Sequence, residues 1–300
     1  MGNSIHLQEK TVNNTTFERS QIAKMNVTFN FNNLTLYGEI YYPTIITKEI
    51  PGIILCQGSG SYSSAYSWIS SSLAQNDYIV FSFDYPGQGF SEGFFPAKYI
   101  YIESINLLIR PTSFIESKIQ YLVGNWNKAT IRAIHYFLDE SPLSKEIDHD
   151  HIGLIGHSSG GLIVTNSIYE NINISAIVAL SHSNPKVKQL SIPIQFQCGD
   201  RDIFSRSIFN VLLNYQIASS PKELILIQQG THMGFSNVFN SNCPCPPWQK
   251  EVSFHYLLAW FDYFIKQDSD ALQKIITPIP HLSKMIDSRY NLGDGENILG

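Results

Sequence analysis

Residues 151–164 read HIGLIGHSSGGLIV. A mostly apolar run, Ile152 to Ile155, meets Gly156-His157-Ser158-Ser159-Gly160, and the apolar pattern resumes at Leu162, Ile163 and Val164. The run suits a buried strand and the resumed pattern suits a helix. Ser158 therefore sits where a strand stops and a helix starts. A plain tight turn would also use small residues there. A second reason is chemical: a strained strand-to-helix turn lifts a serine oxygen above the sheet, and Gly156 and Gly160 let neighbouring backbone pass close. The new helix also aims its first N–H groups at developing negative charge.

The elements on either side follow one plan. MNVTFNF and LTLYGEIYYP flank Asn32-Asn33 and read as a β-hairpin. PGIILC, DYIVFSFD, HIGLIG, ISAIVALS, IPIQFQCG and KELILIQ are buried-type strands that alternate with helical patterns. Those patterns cover about Ser64–Gln75, Asn127–Leu138, Ser159–Glu170, Ser205–Ile217 and Gln249–Lys266. Alternation of this kind implies a mostly parallel sheet with helices on both faces. The hairpin and the six further strands predict eight in all. We expect a lead-in over 1–24, one domain over 25–267, and a frayed tail over 268–300 that ends in NLGDGENILG. Phe94 to Gly124 is longer than a usual crossover connection and is rich in aromatic residues. It is expected to form a lid-like segment over the site, the alternative being a satellite packed on the outside of the sheet.

Composition narrows the partners. Apolar residues make up 43% of the 300 and charged residues 15%, so the chain is globular rather than disordered. The net charge of −5 has no dense Lys/Arg cluster, which argues against nucleic acid and anionic membrane. No signal-like or membrane-spanning apolar run is present, so a cytoplasmic location is the expectation. Oligomeric state is not legible. Cys56 and Cys198 end strands and read as core residues, and Cys243 and Cys245 in CPCPPW read as a rigid loop. One CxC pair is at best half a zinc site, so neither a metal nor a cofactor is expected.

A serine hydroxyl needs a base, and the base needs an orienting acid. In the order expected after a strand–Ser–helix turn, the acid and then the histidine follow at the ends of later strands. IPIQFQCG is followed by Asp200-Arg201-Asp202, and KELILIQQG by Thr231-His232-Met233. His232 is the expected base. Asp202 is preferred over Asp200 because it lies where the chain leaves the strand. Two backbone donors are needed for an oxyanion. One is the N–H of Ser159. The other belongs to the loop Gln57-Gly58-Ser59-Gly60-Ser61, with Ser59 first and Gly60 second. Phe94, Phe95, His182 and Met233 are the expected substrate-binding residues.

Together these residues resemble an α/β-hydrolase. The resemblance rests on GHSSG, the QGSG loop, DYPGQGFSEG, GDRD and THMGF, in order from about Val27 to Lys266. It implies the α/β-hydrolase fold, a Ser158–His232–Asp202 triad and a structural role for Asp84, Gly87, Gly89 and Ser91. Only HSNPKVKQLS separates the sixth strand from the acid-bearing strand, too little for the cap many relatives carry there. That short connection is most similar to the dienelactone hydrolase-like and esterase- or peptidase-like branches, although Gln57 stands where a histidine is more usual. The expected activity is hydrolysis of a small carboxylic ester through an acyl-enzyme. Peptidase, thioesterase or acyltransferase action with the same residues are the alternatives, and a binding protein on this scaffold would have a broken triad.

Overall fold

A computed structural model describes residues 21–94, 112–166, 172–182, 191–203, 207–219, 221–238 and 245–287. The chain enters through β1 (Ile22–Phe31) and β2 (Leu34–Pro43), paired antiparallel from Ile22↔Pro43 to Phe31↔Leu34. Asn32 and Asn33 both take positive φ, 49° and 62°, the backbone of a two-residue turn that matches strand twist. Next come β3 (Ile50–Cys56), α1 (Ser67–Ala74), β4 (Ile79–Phe83), α2 (Thr112–His135), β5 (Ile147–His157) and α3 (Ser159–Asn166). The second half holds β6 (Ile174–Leu180), β7 (Ile194–Gly199), α4 (Ser207–Ile217), β8 (Lys222–Ile227), α5 (Gln249–Phe264), α6 (Ala271–Ile276) and β9 (Leu282–Asp287).

Among the described residues, nine strands form one sheet in the order β1-β2-β4-β3-β5-β6-β7-β8-β9. From β4 to β8 in that order neighbouring strands pair parallel, and β1–β2, β2–β4 and β8–β9 pair antiparallel. Alternation along each central strand feeds two cores. Ile54 and Cys56 of β3, with Phe81 and Phe83 of β4, pack under Ala129, Ala133 and Ile134 of α2 and Ile163 of α3. Ile53 and Leu55 of β3, with Val80 of β4, face Ile69 and Leu73 of α1 and Leu257, Trp260 and Phe261 of α5. This is why the strands read as continuous apolar runs: both faces are covered. The chain leaves β3 toward β4 on one side and returns to β5 on the other. The carboxyl ends of β3 and β5 therefore border the crevice where the winding reverses, which is where open α/β sheets bind ligands.

Two expectations are corrected here. Among the described residues the sheet has nine strands, not eight, and the supposed tail from 268 contains α6 and β9, the latter paired with β8 from Glu223↔Asp287 to Ile227↔Leu282. The helix expected at Asn127 begins at Thr112 and ends in a wider turn over Tyr136–Glu140. The latter part of the segment 94–124 is thus the first half of α2. Residues 95–111, which were to form the lid, lie outside the described residues, and so do 183–190 between β6 and β7. Among the described residues no helix is long and apolar enough to cross a membrane.

Candidate active site

The turn after β5 is built by exclusion. Ser158 holds φ at 54°, a left-handed conformation that is uncommon for a residue with a Cβ. A Cβ on Gly156 would lie 2.4 Å from the carbonyl oxygen of Gly160, and one on Gly160 would lie 2.1 Å from that of Cys56. Both contacts are with backbone, so neither position accepts a side chain. Across the sheet the N–H of Ser158 donates to the carbonyl of Leu180 at 2.9 Å, and the carbonyl of Ser158 accepts from Leu162 at 3.1 Å. Strand pairing and the first turn of α3 thus hold the strained serine from both sides.

The ends of β7 and β8 supply its neighbours. The N–H groups of Asp200 and Arg201 donate to the carbonyls of Ile227 and Gly230, at 3.0 and 2.9 Å, and the N–H of Asp202 donates to Gly199 at 3.1 Å. This tight turn sends the Asp202 carboxylate inward, with its side chain fully buried. Oδ2 of Asp202 lies 2.8 Å from Nδ1 of His232, and Nε2 of His232 lies 2.9 Å from Oγ of Ser158. With an ionised carboxylate on Nδ1, that nitrogen carries the proton, and Nε2 accepts from the serine hydroxyl. Asp200 turns away and accepts from Ser283 Oγ on β9. Of the two acids, it is Asp202, the one preferred from the sequence, that meets His232. Gln249, the first residue of α5, braces the same loop. Its Oε1 accepts from Thr231 N–H at 2.9 Å and its Nε2 donates to Thr231 O at 2.8 Å.

The loop after β3 lies on the other flank. Its N–H groups are not equivalent. Gly58 N–H donates to Tyr66 Oη at 3.1 Å, Ser61 N–H donates to Gly58 O at 3.2 Å, and Gly60 N–H donates to Oε1 of the buried Gln88 at 2.6 Å. Gly60 is therefore corrected as an oxyanion donor, because its N–H is already spent. Its glycine serves the turn instead, at φ 73°. Ser59 remains, and Ser159 Oγ donates to Ser59 Oγ at 2.9 Å, tying the two candidate donor residues together.

The expected substrate-binding residues separate. Met233 is partly buried next to His232, and Phe94 is 80% exposed. Phe95 lies outside the described residues. His182 is corrected: it is wholly buried at the end of β6, edge-on to Phe196 and 3.5 Å from Asn214 Nδ2, and does not line an open crevice. Burial pushes its pKa down to about 3, so it is neutral. Sequence reasoning missed Gln88, Tyr66, Gln249 and the side chain of His157. Gln88 lies inside DYPGQGFSEG, a motif read as structural only. The turn does act structurally, since Asp84 Oδ1 accepts from Ser63 N–H at 2.5 Å, but through Gln88 it also shapes the loop after β3. Among the described residues no group of three or more metal-ligating side chains converges.

The comparisons with known proteins agree with this layout. A family model described as serine aminopeptidase, S33, matches residues 50–183. That span runs from β3 through the end of β6 and includes Ser158 and the loop after β3, but neither Asp202 nor His232. A bis(hydroxyethyl) terephthalate hydrolase from Streptomyces coelicolor is 20% identical over 254 residues, covering 83% of this chain and 68% of the relative. The sheet of the described residues, with the strained serine at its switch point, has the α/β-hydrolase fold, and both similarities are to hydrolases.

Proposed function

We propose that the protein hydrolyses carboxylic esters, with Ser158 as nucleophile, His232 as general base and acid, and Asp202 as the orienting carboxylate. The observation that carries this reading is the unbroken line Ser158 Oγ–His232 Nε2 at 2.9 Å and His232 Nδ1–Asp202 Oδ2 at 2.8 Å. Ser158 attacks the acyl carbon while His232 takes its proton. Asp202 stabilises the imidazolium that forms. The N–H groups of Ser159 and Ser59 receive the oxyanion. His232 returns the proton to the departing alkoxide, and water, activated by the same histidine, then releases the acid and regenerates Ser158. A relative named for hydrolysis of a terephthalate ester supports ester over amide. The match to a family described as serine aminopeptidase supports a second reading, cleavage of aminoacyl amides by the same residues.

The two are separated by one panel. It holds p-nitrophenyl esters of increasing chain length, bis(hydroxyethyl) terephthalate, acyl thioesters and aminoacyl anilides. We expect turnover of esters, and loss of roughly 10⁴-fold or more in Ser158→Ala. Turnover of anilides alone would replace the ester reading with the peptidase one. Full activity in Ser158→Ala would remove both.

A further inference from the structure

We propose that His157 and Tyr66 are positioning residues, a buried neutral chain that locks the backbone of His232 and the oxyanion loop into one frame. The inference rests on the reading of Ser158 and His232 given above. His157 precedes Ser158 in the chain, yet its ring turns inward, and it is only 2% exposed, with Tyr66 at 1%. Tyr66 Oη lies 2.8 Å from His157 Nδ1, and His157 Nε2 lies 3.0 Å from the carbonyl oxygen of His232. At the far end Gly58 N–H donates to Tyr66 Oη at 3.1 Å.

The ends of this chain set its direction. A backbone N–H can only donate and a carbonyl oxygen can only accept. Tyr66 therefore accepts from Gly58 and donates to Nδ1 of His157, and Nε2–H of His157 donates to His232. One proton arrangement satisfies every member, with His157 neutral. The titratable groups facing its ring are Tyr66 and His232. A second proton on His157 would break the Tyr66 donation and place a cation beside the His232 ring, whose centroid is 4.9 Å away. Burial and the neighbouring His232 both hold the pKa of His157 well below its ordinary value, and burial raises that of Tyr66 to about 12. The oxyanion loop lies directly on this chain: a Cβ on Gly58 would be 3.2 Å from both His157 Nδ1 and Ser158 Cβ. Asp202 sets the rotation of the His232 ring, and the chain through His157 sets where its backbone stands relative to Ser158 and Ser59.

The test uses a fluorophosphonate, whose capture by Ser158 needs no knowledge of the natural substrate. Tyr66→Phe and His157→Phe should lower the maximal rate of inactivation by about 10- to 100-fold, in line with displacement on the scale of an ångström, with the half-saturating concentration little changed. Variants that inactivate at the wild-type maximal rate would overturn the inference and leave the hydrolase reading intact. Nitrogen NMR of the wild-type protein serves where a variant does not fold. It should find His157 bare at Nδ1 and protonated at Nε2 from pH 5 to 8, and a proton on Nδ1 would overturn the inference. Failure of the wild-type protein to react at all would count against the hydrolase reading, and the NMR result would still judge the chain.

Discussion

Asp200 and Asp202 are two residues apart at the end of one strand, and the turn gives them different partners. Asp202 is buried against His232, and Asp200 bonds Ser283 at the sheet edge. Asp202→Asn should cost on the order of 10⁴ in kcat, the size of the tautomer effect in the worked serine-protease case. Asp200→Asn should stay within a few-fold of wild type. Steady-state kinetics on the best ester of the panel decide it, and the opposite ranking would move the acid to Asp200. Residue types and chain order were enough to propose Ser158, His232 and this pair of acids. They could not separate Ser59 from Gly60 by contacts, because the difference is a hydrogen bond from Gly60 N–H to Gln88, in the turn after the neighbouring strand β4.

At the scale of elements, Asp202 and His232 are brought together by two strand ends packed backbone to backbone. A Cβ on Gly199, the last residue of β7, would lie 2.1 Å from the carbonyl carbon of Gly230 beyond β8. Gly199→Ala must therefore push apart the two turns that carry Asp202 and His232. We expect activity to fall by about 100-fold, in line with an ångström-scale misplacement. The melting temperature should fall as well, and a fully active variant would show that the two turns are not rigidly coupled. Other elements were hard to read for a stated reason. β9 is a half-exposed edge strand, LSKMID, whose pattern carries little periodicity and which exists through pairing with β8. The middle of α2 contains Gly124 and two asparagines, Asn125 and Asn127, residues that weaken a helical reading until packing overrides propensity.

The whole molecule carries a pH signature from its buried histidines. His157 and His182 both have pKa values lowered by burial, His182 to about 3. In the unfolded chain each titrates near the ordinary value of about 6.5. Below that pH the unfolded chain binds protons that the folded one refuses, so stability is lost as pH falls from about 6.5. The loss approaches about 1.4 kcal/mol per pH unit for each such histidine. His255, half-buried, acts in the same sense and more weakly. Asp84 acts in the opposite sense, because burial raises its pKa and the folded state takes up that proton first. Urea denaturation at pH 7, 6 and 5 should show stability declining. In His182→Leu the decline should be shallower by an amount that approaches about 1.4 kcal/mol per unit as pH falls below about 6.5. An unchanged slope would mean that His182 is not held neutral in the fold.

What the sequence by itself determined is local and periodic. Continuous apolar runs specify buried parallel strands, Asn32-Asn33 specifies the hairpin turn, and glycines on both sides of Ser158 mark a turn that excludes side chains. Chain order then puts an acid and a histidine at the ends of the right strands, because strand termini on one edge of a parallel sheet are neighbours by construction. Tertiary structure decided what depends on contacts between distant segments. It chose Asp202 over Asp200, tied up Gly60, and buried His182. It also joined Gly58, Tyr66, His157 and His232 in one line, and gave β9 a partner. Each of these is a choice among groups of similar chemistry, and it is settled by distance and direction, which no one-dimensional pattern encodes.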